Sequence, residues 1–261
     1  MSSSKVIVFG ATGNVGSYVA TTAQKNGALV TLAMRDTSKT IPTLSKEDEA
    51  SGNYKRIQAD LTKPETVTAA VKESGAKSAF IYLMQTSQDG MKSIIQTLKD
   101  AGITFVVFLS SYTIRGNPAD IPPADLIPFI HARVELSLEE VYGSANYVTL
   151  RPGGFATNVL HWKKDLDQGH VRLYCPKAQF DYITPEDMGQ VGGVILAGGK
   201  QVDGKKEVYL FGPNMTAQED AVKTISKITS RGKFHTHTYL SDTNHTCVIA
   251  LDTSDFLLMS N

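Results

Sequence analysis

The fold predicted from the sequence is α/β: a doubly wound, mostly parallel sheet followed by a small C-terminal lobe. Three observations predict it. Short apolar runs rich in β-branched residues alternate with stretches of helical period. The first run passes directly into a glycine-rich turn, Gly10-Ala11-Thr12-Gly13-Asn14-Val15-Gly16. After about residue 150 the alternation loosens, as where a smaller unit begins.

Strands are expected at Lys5–Phe9, Leu29–Met34, Tyr54–Ala59, Ser78–Met84, Phe105–Ser110 and Tyr147–Arg151. Most are apolar almost without interruption, the pattern of strands covered on both faces. Helices are expected between them. Asn14–Asn26 stops at Gly27, a residue suited to the left-handed C-terminal position. Pro64–Ser74 opens with proline in the first turn and Glu65 beside it. Gln88–Ala101 stops at Gly102, and Leu126–Tyr142 stops at Gly143. Right-handed crossovers between such units generate the doubly wound sheet.

The connecting segments differ in character. Ser45–Asn53 reads as a charged surface insertion. Asn117–Pro128 holds four of the ten prolines. Proline lacks the donor that helices and ladders need, so an irregular loop is expected where a substrate-covering segment would sit. Thr184–Leu196 reads as a helix with Thr184 as cap, Pro185 in its first turn, and Glu186 and Asp187 near its positive end. Lys206–Phe211 reads as a strand. Thr216–Ile228 reads as a helix opened by a Thr216/Glu219 capping box. Beyond Ser230 neither period is clear.

Composition excludes several classes of function. With 26 basic and 26 acidic residues the net charge is +0, so the chain has no electrostatic footprint for nucleic acid or anionic lipid. The 41% apolar content is that of a chain that buries a core. Two cysteines, Cys175 and Cys247, cannot form a disulfide framework and fit a reducing compartment. The first apolar run is too short for a secretory signal, and no run of about 18 apolar residues is found. A cytoplasmic protein without membrane partners is expected. No oligomeric state can be read.

The glycine turn carries the most information. Gly10 permits the turn out of the strand, Gly13 lets the backbone approach a pyrophosphate, and Gly16 lets helix and sheet pack closely. Free N–H groups of Thr12, Gly13, Asn14 and Val15 at the helix start would hold phosphates. Placed after an N-terminal strand inside a βαβ unit, the pattern marks a dinucleotide-binding Rossmann sheet. An acidic residue at the end of the second strand would grip the ribose 2′-hydroxyl of NAD. The strand ends Met34-Arg35-Asp36. Arg35 suits a 2′-phosphate, Lys39 can assist, and Asp36 points the other way if the strand still alternates. NADP(H) is therefore the expected cofactor. The expected organisation is an NADP-binding Rossmann domain at 1–153, a smaller substrate-binding lobe at 154–230 interleaved with it, and a divergent tail at 231–261.

The spacing Gly-x-x-Gly-x-x-Gly resembles that of extended and atypical short-chain dehydrogenases, and more of the chain resembles the NmrA-like branch. The residues that carry this are the Gly10–Gly16 turn, Arg35-Asp36, Asp60-Leu61, Arg151-Pro-Gly-Gly-Phe-Ala-Thr-Asn158 and Asp181-Tyr-Ile-Thr-Pro-Glu-Asp-Met-Gly189. The resemblance runs from about Lys5 to Ile228, and Ser226–Asn261 departs from it. It implies that Asp60 and Leu61 lie by the adenine. It also implies either a reductase of quinones, dyes or fungal secondary metabolites, or a nucleotide-sensing regulator acting through protein contacts.

The wider superfamily usually carries Tyr-x-x-x-Lys on the helix after the fifth strand. No tyrosine here has lysine four residues later. The matching helix carries His131-Ala-Arg-Val-Glu135, a spacing that puts both side chains on one face. The resemblance implies a reductase-type His-x-x-x-Glu, in which Glu135 would keep His131 charged as proton donor. A surface His–Glu pair is the alternative. Ligands of such sheets sit outside the strands' carboxyl ends. That places Met84-Gln85-Thr86, Ser110-Ser111-Tyr112 and Gly153-Gly154-Phe155 around the nicotinamide, with Ser111 and Tyr112 as alternative donors. Phe155, Asn158 and Trp162 would wall a pocket for an aromatic or flat small molecule, unless they pack a core. His235, His237, His245 and Cys247 are zinc-type ligands without compact spacing, so no metal is assigned. Two readings follow: an NADPH-dependent reductase of carbonyls, quinones or conjugated double bonds, or a non-catalytic NADP sensor.

Overall fold

The computed structural model describes residues 3–168, 170–173, 175–229 and 235–238. In chain order the first elements are β1 (Lys5–Phe9), α1 (Asn14–Lys25), β2 (Leu29–Met34), α2 (Lys46–Ser51), β3 (Tyr54–Gln58), α3 (Pro64–Ser74), β4 (Ser78–Tyr82), α4 (Lys92–Ala101), β5 (Phe105–Leu109), α5 (Leu126–Tyr142) and β6 (Tyr147–Pro152). There follow α6 (Lys163–Asp167), β7 (His170–Leu173), β8 (Gln179–Phe180), α7 (Pro185–Gly198), β9 (Glu207–Leu210), β10 (Thr216–Ala217), α8 (Gln218–Thr229) and β11 (His235–Thr238). The chain divides into two units. The first comprises Met1–Phe155 and Ile183–Phe211, the second Ala156–Tyr182 and Gly212–Asn261.

The first unit is the expected doubly wound sheet. Its seven strands run in the order β3-β2-β1-β4-β5-β6-β9, each parallel to its neighbours. Successive residues of a strand point to opposite faces, which divides the core in two. Val6, Val8, Leu32, Phe80 and Leu150 pack with α1 and α7 through Val15, Val19, Met188 and Ile195. Ile7, Phe9, Ile81 and Phe108 pack with α3, α4 and α5 through Val67, Leu98, Val134 and Leu138.

The helix pair α1 and α7 approaches closely because α7 presents glycine. A Cβ on Gly189 would sit 2.2 Å from the Cβ of Tyr18, and one on Gly193 would sit 2.5 Å from the Cβ of Thr22. At its start α7 is capped as expected: Thr184 accepts from the Asp187 N–H at 3.1 Å, with Pro185, Glu186 and Asp187 following.

Several expectations are corrected. The first unit runs to Phe155 rather than 153, and the segment that returns to it in the interleaving is 183–211, where β9 pairs with β6 and α7 covers the sheet. The charged segment Ser45–Asn53 carries α2, which Ser45 caps by accepting from the Asp48 N–H at 3.0 Å. The helix expected from Gln88 begins at Lys92, because Ser87 and Asp89 bind the N–H groups of Met91 and Ser93 and form a turn there. Thr216 pairs with Phe180 as a strand, so no capping box forms. The first N–H groups of α8 instead bind the carbonyls of Ala178 and Pro176. Part of the tail is ordered into β11, parallel to β7. Cys175 is buried. Cys247 and His245 lie outside the described residues.

The second unit has its own small core of Leu166, Val171, Leu173 and Val222, with Trp162 and Ile225 packed against it. Among the described residues no helix is long and apolar enough to cross a membrane, and no cluster of metal-ligating side chains is found.

Candidate functional site

The site begins where β1 turns into α1. Gly10 has φ +74°, a conformation that favours glycine, and a Cβ there would lie 2.7 Å from the ring of Tyr82. Gly16 is required for a reason other than helix–sheet contact: its Cβ would lie 2.2 Å from the carbonyl oxygen of Gly10. Around Gly13 only that same carbonyl comes within 4 Å of a Cβ, at 3.2 Å. That is a milder demand than at Gly10 or Gly16, and nothing else crowds the position where a pyrophosphate would lie close. No side chain caps α1 and no acidic residue lies in its first turn. The N–H groups at Asn14, Val15 and Gly16 thus have no acceptor within the helix, and the positive end of the helix is not neutralised. Thr12, Gly13 and Asn14 are exposed, while the side chain of Val15 is core.

The ends of β2, β3 and β4 flank this turn. Arg35 and Lys39 are exposed beyond β2. Asp36 is turned into its own loop, where one carboxylate oxygen accepts from the Ser38 N–H at 2.9 Å and the Ser38 hydroxyl at 2.6 Å. The Ser38 bonds hold the Asp36 carboxyl below its usual range. Asp60 is similarly tied to Thr62, through its N–H at 2.9 Å and its hydroxyl at 2.8 Å. Burial disfavours its charge, but Thr62, Arg35 and Lys63 outweigh this and lower its pKa. The side chain of Leu61 is buried in the core. Met84 is half-buried against the same core and Gln85 is exposed.

Sequence reasoning missed Tyr82. Its ring ends β4, lies over Gly10 and remains 36% exposed. Burial raises its phenol pKa, with Arg35 pulling it down and Asp60 pushing it up. The contact depends on where the sheet sets β4 beside the turn after β1, which no local pattern in the sequence marks.

At the ends of β5, β6 and β9 a buried polar network replaces the expected acid pair. Glu135 does not partner His131. Its carboxylate takes the Arg151 guanidinium at 3.0 Å (Nε) and 2.5 Å (Nη2), and the Ser110 hydroxyl at 2.5 Å. Arg151 also donates to the Tyr209 hydroxyl at 2.6 Å. Glu135 and Arg151 are both about 4% exposed. The reason is charge: the buried guanidinium needs a planar acceptor, and Glu135 is the one within reach. The single hydroxyl proton of Ser110 is thereby committed to Glu135. His131 is buried, and its Nδ1 lies 2.8 Å from the carbonyl of Ile127. A carbonyl only accepts, so Nδ1 carries the proton, and the neutral ring has a bare Nε2. Burial lowers the His131 pKa; the Ile127 carbonyl and the Glu135 charge oppose this without reversing it. These surroundings favour the neutral ring, with Nδ1 bound to Ile127, over the charged donor expected.

Ser111 hydrogen-bonds Thr113 at 2.8 Å. Tyr112 is half-buried and meets Phe211 edge-on at 6.2 Å, and Phe211 stacks on Tyr209 at the same spacing. Phe211 and Tyr209 are 56% and 49% exposed. These three rings form the aromatic surface near the strand ends. Phe155, expected to help form it, packs on the α1 side of the core, Asn158 is exposed in the second unit, and Trp162 joins that unit's core.

A family model described as NAD(P)H-binding matches residues 10–169. A nitrogen metabolite regulation-like protein of Gibberella fujikuroi, bik4, is 38% identical over 239 residues, covering 86% of this chain and 72% of that protein. Among solved structures, the NADP(H) complex of Citrobacter sp. triphenylmethane reductase superposes with TM-score 0.68 at 14% identity, over 90% of this chain and 79% of the other. The NADPH complex of an NADPH-dependent quinone oxidoreductase from Escherichia coli gives 0.67 at 18% identity, over 90% and 78%. At such identities the likeness is one of fold.

Proposed function

The chain belongs to the NAD(P)H-binding family, in its NmrA-like branch, and from that premise we propose that it is an NADPH-dependent reductase of flat, conjugated acceptors, quinones above all. The observation that carries the cofactor choice is the loop after β2. Its one carboxylate, Asp36, is spent on Ser38, while Arg35 and Lys39 reach solvent there. A 2′-phosphate suits that loop; a ribose hydroxyl seeking a carboxylate acceptor does not. The pyrophosphate belongs at the unneutralised start of α1.

When bound, the nicotinamide supplies a hydride to an electrophilic carbon of the acceptor. This chain's residues position that acceptor. Tyr112, Phe211 and Tyr209 offer ring faces to a flat molecule. Neutral His131 offers no proton at Nε2, so the acceptor must tolerate hydride addition with its proton coming from water or from Tyr112. Quinones and extended conjugated systems do so more readily than simple ketones. A tailoring step in secondary metabolism is one setting for such an activity.

A second reading is a regulator that binds NADP(H) and signals through protein contacts. The name of the Gibberella fujikuroi relative favours it, as does the fixed Glu135–Arg151 pair in place of an acid–base pair. A turnover panel separates the two. Reductase function predicts loss of NADPH absorbance with quinones, ten-fold or more slower turnover for Tyr112→Phe on ketones, and little change for His131→Gln; these magnitudes are on the order of a lost general acid. NADPH binding without turnover on quinones, enones and ketones would favour the regulator.

A further inference from the structure

The loop that carries Arg35 and Lys39 is held from behind by Arg56. Nη1 of Arg56, on the edge strand β3, donates to the carbonyls of Thr37 at 2.5 Å and Lys39 at 2.7 Å. Its other two nitrogens take both oxygens of Glu49 on α2, at 2.5 Å (Nε) and 2.7 Å (Nη2). The Glu49 bonds raise the Arg56 pKa and lower that of Glu49. Both side chains are largely covered, at 26% and 20% exposure. Gln58 adds a bond to the Arg35 carbonyl at 3.1 Å. Within the loop, the Asp36–Ser38 bonds close the turn. One planar guanidinium thus ties α2, β3 and the loop after β2 together.

We propose that the Arg56–Glu49 clamp is a positioning device for cofactor discrimination: it presets the loop Arg35–Lys39 for the 2′-phosphate, and α2 exists to hold Arg56 in that pose. The proposal rests on the NADP(H) reading above and adds residues that need not touch the cofactor. Without the clamp the two carbonyls lose their donor and the loop samples other turns. The long side chains of Arg35 and Lys39 must then be ordered at the moment of binding, which weakens affinity for the phosphate-bearing cofactor alone. Lysine at position 56 keeps the charge but has no fork, so it cannot hold Glu49 and both carbonyls at once.

The test is calorimetric titration of the full chain with NADPH and with NADH. For Arg56→Lys the NADPH affinity should fall about 10-fold, equivalent to about 1.4 kcal/mol, while NADH affinity stays within about two-fold, the spread of ordinary surface changes. The retained NADH binding reports an intact nucleotide fold. Glu49→Gln, which leaves the carbonyl bonds but weakens the fork, should lose NADPH affinity by a smaller factor in the same selective way. If wild type prefers NADPH and both variants keep that preference unchanged, the clamp is overturned and the cofactor reading stands. If both variants lose the two cofactors in parallel, the clamp serves the fold and not discrimination, and the proposal fails. If wild type binds NADH as tightly as NADPH, the cofactor reading fails and takes the clamp with it.

Discussion

At His131 burial and partner choice act together. The ring is driven toward neutrality by its surroundings, while the carboxylate one turn away is claimed by Arg151. A group whose folded-state pKa is depressed binds its proton more readily in the unfolded chain. Stability should therefore fall as pH drops below 6.5, the ordinary value of the ring, and be intact above it. His131→Gln should flatten the melting temperature between about pH 7 and pH 5, a window set by that pKa. An unchanged slope would show that other groups carry the acid sensitivity. Arg151 makes a sharper case. Arg151→Met leaves the Glu135 carboxylate buried without its fork and should cost about 3–5 kcal/mol in denaturant unfolding. The double variant Glu135→Leu/Arg151→Met should recover most of that, since an apolar pair avoids the desolvation penalty. A loss below about 1 kcal/mol for the single variant would mean the network is not a desolvated pair.

Among the elements, α7 owes its place to glycine. With Gly189 and Gly193 facing Tyr18 and Thr22, the two helix backbones come within a distance that any side chain would prevent. Gly189→Ala should destabilise by about 1–3 kcal/mol through overpacking. Gly198→Ala is the control: nothing lies within 4 Å of its Cβ, so it should be neutral or slightly stabilising through helix propensity. Equal melting temperatures for Gly189→Ala and wild type would contradict the close approach. This pair also shows what a sequence makes legible. Strands β1, β2, β4, β5 and β6 declared themselves as largely apolar runs, and the turn Gly10–Gly16 followed from local backbone needs. The helix starting at Thr184 was marked by its own cap. Contacts that join distant segments left no comparable mark. The Arg151–Glu135 pair, the Arg56 clamp and Tyr82 over Gly10 each depend on where the sheet sets two elements side by side. Of the α7 glycines that meet α1, Gly189 closes a stretch that resembles a family motif and Gly193 carries no mark in the sequence. In β10, pairing with β8 overrode a local capping signal at Thr216.

For the molecule as a whole, a seven-stranded parallel sheet delivers its strand ends to one edge, where a dinucleotide-binding turn, a cationic loop and an aromatic surface are carried by the first unit. The central claim is that this edge binds NADP(H) through the start of α1 and Arg35. Calorimetric titration of the full chain with NADPH and NADH, for wild type and Arg35→Ala, tests it most directly. A charge-assisted contact is worth about 1.5–3 kcal/mol, so Arg35→Ala should weaken NADPH about 10- to 100-fold and leave NADH nearly unchanged. Equal affinity of the wild-type chain for the two cofactors, or an Arg35→Ala variant that binds NADPH as wild type does, would contradict it.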